Sequence, residues 1–527
     1  MAITVDALLL RELGVAILIF IITRFSIRFL LNLHHHHRHD TKKLPPGPKG
    51  WPVLGAIPLL GPKPHVTFTN MAKKYGPIMY LKMGPCHTVV ASTSDAARAF
   101  LKTLDLNFSN RPVIAGSTYL RYNTDDLVFH EYGPKWKLMR KLSNLHILGK
   151  KALDDWSDVR GNEVKHMVGV LCEFSRKNEA VKVRELLSYV ITNILSQAIL
   201  SRRMFQNEVS ECKEFKDMVV EFMVLSGMNI GDFMPRVNNW IDLKGLVRKM
   251  KRLHERFDAL LKKMVEDHET TLDYEGNKKA DFLDILMANR EEASDEEGGL
   301  NFTNIKAILL NFFTAGTHSS SSTIIWALTE MLKNPNILKK AQREIDQVVG
   351  KERLVLESDL QNLPYLQAIC KETYRLHPST PLSIPRISTQ ACEINGYYIP
   401  KNTWLSVNIY AIGRDPNVWD DPLEFKPERF MMSSDGKINE KMKMSLSGTV
   451  DFELIPFGGG RRVCAGYRMA MVVVQLILGT LVHSFDWKLP DEEEDGLNME
   501  EVFGITVHKA VPLSAMVSPR LLPHAYK

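Results

Sequence analysis

The stretch Phe457-Gly458-Gly459-Gly460-Arg461-Arg462-Val463-Cys464-Ala465-Gly466 restricts this chain more than any other, because one cysteine follows a glycine run and directly precedes a long apolar helical pattern. Glycines strip side chains from backbone that must come close to something flat and large, and Gly466 relieves crowding next to the sulfur. The apolar pattern opens at Tyr467 and extends to about Phe485, so the free N–H groups of a helix N-terminus would favour a thiolate at Cys464. Haem iron accepts such a thiolate as axial ligand, and haem is the flat object the loop predicts. Arg462 is then a fixed cation suited to a haem propionate, and Phe457 an apolar cover on the sulfur side. A buried cysteine in a tight turn would account for Cys464 alone, but it leaves the rest of the loop unexplained.

The pattern Phe-x-x-Gly-x-Arg-x-Cys-x-Gly resembles the signature loop of the cytochrome P450 superfamily, and every one of its positions is filled here. The resemblance implies a mainly α fold with small β-sheets, haem b between a distal and a proximal helix, and dioxygen as co-substrate. It makes Cys464 the metal ligand, with Trp136, Arg140, Arg386, Phe457, Arg462 and Gly466 around the haem. Trp136 and Arg140 stand at i and i+4, on one helical face, so the indole N–H and the guanidinium could both reach propionate oxygens. Glu372 and Arg375 share a helical face in the same way. With Arg429 of Pro427-Glu428-Arg429-Phe430 they resemble the family's structural triad, which serves folding and not chemistry.

The stretch Phe312-Phe313-Thr314-Ala315-Gly316-Thr317-His318-Ser319-Ser320 resembles the distal helix that crosses the oxygen-binding face, with one departure. The family's usual form is Ala-Gly-x-acid-Thr, in which the acid and the alcohol help to deliver protons. Here His318 replaces the acid and Ser319 the threonine, beside Thr317. These three are the expected catalytic residues: Ser319 keeps a hydroxyl, and a neutral imidazole can carry protons near physiological pH. The exchange predicts turnover that leaks reduced oxygen. It also keeps open a haem-binding membrane protein with impaired oxygen activation.

The 527 residues, 45% of them hydrophobic, can bury a large core, and no low-complexity break divides the chain after the Pro- and Gly-rich stretch at 44–64. The expected organisation is a membrane anchor at 1–33, a basic and proline-rich hinge at 34–64, and a catalytic body at 65–527. Residues 13–23 form an unbroken apolar run, with Arg11 and Glu12 as its weak point, and Arg24, Arg28, His34 to His37, Arg38, Lys42 and Lys43 follow. That basic cluster stays on the cytosolic side, so the body faces the cytosol. Six cysteines without paired or zinc-like spacing fit a reducing compartment. By resemblance to microsomal members, the membrane is that of the endoplasmic reticulum, crossed once.

No flavin or nicotinamide fingerprint accompanies the loop, so the electrons of NADPH must come through a separate NADPH-cytochrome reductase. Lys135, Lys137, Arg140 and Lys141 form a basic helix face suited to steering such an acidic partner. The net charge of +6 lies largely near the anchor and gives no argument for nucleic acid.

Within the superfamily, the runs 132–146 and 375–386 are similar to plant flavonoid B-ring hydroxylases. Ser143-Asn144-Leu145-His146 favours the 3′,5′-hydroxylating branch, whereas Thr506 leans toward the 3′-hydroxylating one. The resemblance implies a small phenolic substrate walled by Ser117, Tyr119, Tyr122, Phe312, Ala315, Gly316, Thr380, Leu382 and Thr506. The alternative within the class is a monooxygenase of another plant metabolite.

Overall fold

The computed structural model describes residues 43–527 apart from 207–211, 228, 234–244, 273–279, 291–298, 432–443, 447, 449 and 491–496, and in addition 19, 20, 23 and 24. The expected anchor, those four positions excepted, and the basic part of the expected hinge lie outside the described residues.

The chain forms two compact units: Met1–Pro45 with Ala391–Pro400, and Pro46–Gln390 with Lys401–Lys527. The strands in chain order are β1 (Ile78–Met83), β2 (Cys86–Ala91), β3 (Val181–Lys182), β4 (Arg386–Ile387), β5 (Cys392–Ile394), β6 (Tyr397–Ile399), β7 (Trp404–Val407), β8 (Phe485–Lys488), β9 (Glu501–Val502), β10 (His508–Lys509) and β11 (Ser514–Pro519). In the smaller unit, β5 and β6 make a hairpin whose turn, Asn395-Gly396, takes φ of 50° and 74°. Asparagine and glycine tolerate that left-handed backbone, which matches the twist of a tight hairpin.

The larger unit is mostly helical, with small sheets at its edges. Its main sheet runs β1-β2-β7-β4, with β2 and β7 parallel, Thr88 facing Trp404, and the other pairs antiparallel. The proline-rich stretch is bound along β1: Tyr80 N–H donates to the Pro46 carbonyl at 2.9 Å, and Ala56 N–H to that of Lys82 at 2.8 Å. From Pro46 onward the expected hinge is therefore held to the body by backbone hydrogen bonds and does not stand off as a free spacer.

The helices that shape the interior are α1 (Pro134–Ser143), α2 (Val183–Leu200), α3 (Phe302–Asn311), α4 (Thr317–Lys333), α5 (Pro364–Leu376) and α6 (Tyr467–Ser484). Pro134 and Pro364 open their helices where a missing N–H goes unused. α6 is apolar on nearly every side, which is the pattern of a helix inside a core. Among the described residues it alone is long and apolar enough to cross a membrane, yet 67% of that stretch is buried inside the protein, so it is a core helix. α4 is buried from Ser320 to Met331 and packs against α2, α5 and α6. Between α3 and α4 the backbone takes a π-helical turn at Phe312–Gly316. Such a turn adds a residue to the helix and shifts the faces that follow it.

One polar knot ties α5 to the loops beneath it. Glu372, fully buried, accepts Arg375 Nε at 2.6 Å and Nη2 at 2.8 Å, Arg429 Nε at 3.0 Å, and the Lys426 N–H at 2.7 Å. Arg375 spends its remaining N–H groups on the carbonyls of Gly413, Pro422 and Glu424 at 2.6–2.9 Å. Two guanidiniums share the one carboxylate, Arg375 in bidentate fashion, and backbone carbonyls take the N–H groups left over, so the buried charges are hydrogen-bonded as a fold-holding ion pair must be.

Candidate active site

The loop before α6 is closed by the Cys464 N–H donating to the Phe457 carbonyl at 3.0 Å. Gly460 sits at φ 66°, and a Cβ there would collide with Asp105 and the Leu101 carbonyl, so no other residue fits. The crowding the glycines relieve is thus partly protein against protein. Asp105, which the sequence did not single out, clamps the loop: it accepts the Arg461 N–H at 3.1 Å, Arg461 Nη1 at 2.7 Å and Arg386 Nη1 at 3.2 Å.

Cys464 is exposed, but to an internal cavity of about 300 Å³ and not to the surface. Burial pushes its thiol up, opposed by the Gly466 N–H and by Arg140. Phe457 and Tyr374 line the cavity near the loop, in edge contact at 5.3 Å, and the buried Tyr374 hydroxyl has no protein partner. Opposite stand Ala315, Gly316, Ser319, Ser320 and Thr323, with Ile191, Ile194 and Leu195 of α2 beside them. Ala315 is the exposed residue of an otherwise buried stretch because its methyl faces this space. A Cβ on Gly316 would press Leu195 at 3.0 Å.

Arginines crowd the same cavity. Arg462 donates to the carbonyls of Ser109 at 2.7 Å and His130 at 2.6 Å, and its buried Nη1 finds no partner. Arg111 spends its N–H groups on Val128, Ile384 and Pro385 carbonyls, and Arg386 binds the Gly459 carbonyl. Burial, then mutual repulsion, pushes Arg462 down to about 9, while burial, only partly offset by Asp105, takes Arg386 to about 10. A cluster of guanidiniums held against their own charge, with one N–H unpaired, is a receptor for anions. The two carboxylates of haem fit it, and the sulfur, the apolar cavity and the unpaired Arg462 nitrogen meet the group's requirements together. Cys464 would hold the iron, and Arg462, Arg386 and Arg140 would face the carboxylates.

Trp136 lines the cavity, but its indole N–H is already spent on the Leu127 carbonyl at 3.0 Å. Its ring instead receives the Arg462 guanidinium at 4.3 Å, so its contribution is to aim that arginine. Phe312, Thr380 and Thr506 also line the cavity, whereas four of the expected substrate residues do not. Ser117 caps its own short helix through Ile114 at 2.8–3.0 Å, and Tyr122, at φ 52°, turns its hydroxyl to Asp258 at 2.7 Å. Tyr119 stacks under Lys251, and Leu382 packs in the apolar cluster with Val90 and Trp404. Loop side chains have no periodicity from which sequence could tell inward from outward.

The distal residues separate in the same way. Ser319 faces the cavity, its hydroxyl donating to the Ala315 carbonyl at 2.7 Å. Thr323 and Ser379 continue the polar line, their hydroxyls 3.2 Å apart. Such hydroxyls, with water, could carry protons into the cavity. Thr317 points to Thr192 at 3.3 Å, and His318 lies on the far side of α4 against His508, ring to ring at 5.2 Å. The expectation that His318 stands at the oxygen face is not what the structure shows: one residue before Ser319, it lies about 100° round α4 from the side that lines the cavity.

Burial, then His508 and Arg184, push His318 down to about 3, and burial, then Arg184, take His508 to about 4. Both are lowered below the free value, so each loses stability as pH falls, the unfolded chain taking up protons that the folded one refuses. From pH 7 to pH 5 each costs about 2 kcal/mol. His508→Phe should therefore halve the acid-induced fall in the urea midpoint that these two rings cause; an unchanged fall would count against the assignment.

With this geometry in place, the class is a haem-thiolate monooxygenase. The chain belongs to the cytochrome P450 family, whose model matches residues 45–512. It is 57% identical over 97% of both chains to a flavonoid 3′,5′-hydroxylase of Solanum melongena. A flavonoid 3′,5′-hydroxylase 2 of Petunia hybrida is 60% identical, with 97% of this chain and 98% of that one covered. A flavonoid 3′-monooxygenase of the same plant is 48% identical over the same shares. Among solved structures, a zebrafish cytochrome P450 with abiraterone superposes with a TM-score of 0.70 at 26% identity, covering 87% of this chain and all of that one. Haem iron and the use of dioxygen follow from the family.

Proposed function

We propose that this chain hydroxylates the B-ring of flavonoids (flavanones, dihydroflavonols and flavones) at the 3′ and 5′ positions, in flavonoid and anthocyanin biosynthesis. The observation that carries the reading is identity of 57–60% along almost the whole length to relatives named as 3′,5′-hydroxylases, against 48% to a 3′-monooxygenase. The cavity supports it, with apolar walls at Phe312, Ala315 and Ile505 and a few hydroxyls, as a flat phenolic ligand needs.

Bound haem supplies dioxygen activation and the transfer of one oxygen atom to the ring. The chain's own residues hold the thiolate, orient the group through arginines, exclude bulk water, and offer protons from the Ser319–Thr323–Ser379 hydroxyls. Of Thr317, His318 and Ser319, the proposal gives the proton-delivery role to Ser319, the one that lines the cavity. Electrons come from NADPH through a membrane-bound reductase, which would dock on the face where Lys137 and Lys141 are exposed on α1 and Arg140 reaches the Cys464 carbonyl at 3.5 Å. The anchor places the body on the cytosolic side of the endoplasmic reticulum membrane.

Microsomes carrying this chain and a plant reductase should convert naringenin to its 3′- and 3′,5′-hydroxylated products. Absence of any hydroxylated product at normal haem content would overturn the proposal.

A further inference from the structure

Thr506 occupies the loop between β9 and β10, and its side chain does two things at once. It lines the haem cavity, and its hydroxyl lies 2.9 Å from His318 Nδ1. His318 itself does not line that cavity. Its ring borders a separate space of about 10 Å³, room for one water, together with His508, Arg184, Lys216, Lys509 and the serines at 188, 321 and 322. The residue at the position of the family's acid thus lies off the cavity and holds its wall from behind.

We propose that His318 is a positioning residue that acts through Thr506, fixing which of its two γ groups meets the substrate. A threonine side chain carries a hydroxyl and a methyl of similar size, and rotation about χ1 exchanges them. The hydrogen bond to His318 pins that rotation. The rest of the loop is already anchored: Ile505 N–H donates to the Met223 carbonyl at 3.0 Å, Val507 N–H to that of Ser379 at 2.7 Å, and Ser322 Oγ to that of Val507 at 3.0 Å. The remaining freedom at this wall is the Thr506 rotamer, and His318 removes it.

The imidazole suits this task better than proton delivery. It is 5% exposed, and burial, then His508 and Arg184, hold it neutral near physiological pH, so it is a fixed hydrogen-bond partner and not a charge carrier. An aspartate at 318 would carry its oxygens at the same distance along the side chain as Nδ1, but negatively charged and beside a second, polar space that holds His508 and Arg184. The histidine therefore links α4 to the specificity wall by a bond that sequence position alone does not suggest.

The product arm of the test rests on the flavonoid reading; the exchange arm does not. Haem-loaded wild type, His318→Leu, Thr506→Val, the double variant and His318→Asn are compared, each checked for its carbon monoxide band. Without substrate, deuterium uptake by the peptide covering 503–509 should rise about threefold in His318→Leu, the loss of one hydrogen bond. With naringenin, the ratio of doubly to singly hydroxylated product should shift by about threefold in His318→Leu and return toward wild type in His318→Asn, whose amide can replace the bond. In the Thr506→Val background the leucine should change neither, because its effect has no hydroxyl to act through. Equal effects of the leucine in both backgrounds, or none with Thr506 present, would overturn the proposal. Wild type that leaves naringenin untouched would sink the substrate reading, and the exchange cycle would still decide the role of His318.

Discussion

Glu372→Ala is expected to destabilise the body by about 3–5 kcal/mol, because it leaves a buried cation without its counter-charge. Arg375 is 1% exposed and would keep its carbonyl contacts, but lose both N–H bonds to the carboxylate. Arg429 Nε and the Lys426 N–H would be stranded with it. A loss of that size is a large share of the roughly 5–15 kcal/mol that holds a domain folded. The structural consequence reaches the cavity, since Tyr374, on the same helix between the two knot residues, lines its wall. The variant should express with little haem per polypeptide and a lowered urea midpoint. Glu372→Gln, which keeps acceptors but not charge, should fall between. A wild-type midpoint in the alanine variant would show that the knot is not what holds this region.

Cys464→Ser is expected to abolish turnover by at least about 1,000-fold, some 4 kcal/mol in barrier, while leaving the fold nearly untouched. The side chain faces open cavity, so its replacement by a slightly smaller hydroxyl creates no packing defect. What disappears is the soft anionic ligand, and with it the carbon monoxide band characteristic of thiolate-bound haem. The urea midpoint of the haem-free protein should match wild type within error. Retention of both the band and product formation would remove Cys464 from the centre of the site. The two substitutions thus separate cleanly: one empties the cavity by loosening its frame, the other changes the chemistry inside an intact frame.

Much of this site was legible because its chemistry is local in sequence. The cysteine loop compresses ligand, turn and helix start into one run, and Gly460 shows why: the left-handed backbone and the approach of Asp105 leave room for nothing larger. Glu372 and Arg375 announced their contact through helical spacing. The arginine receptor was only half visible. Arg111 and Arg121 line the cavity and Asp105 and Asp126 brace it, yet these residues come from turns on either side of one short helix, far along the chain from Cys464, with no spacing rule to join them. Tyr122 was misjudged for a related reason. Residues 122–124 all take positive φ, and that reversal carries the phenol away from the cavity to Asp258.

The distal helix divides the two kinds of information most sharply. By itself the sequence determined that a thiolate loop, an apolar proximal helix and a small-residue distal helix would meet, since each follows from residue type and period along a short stretch. It also fixed that the usual acid is absent. What His318 meets was decided only by tertiary structure. The partners that hold its ring, Thr506 and His508, lie on a hairpin nearly two hundred residues further on. A local pattern can place a residue on one face of a helix, but only packing supplies the side chains which that face meets.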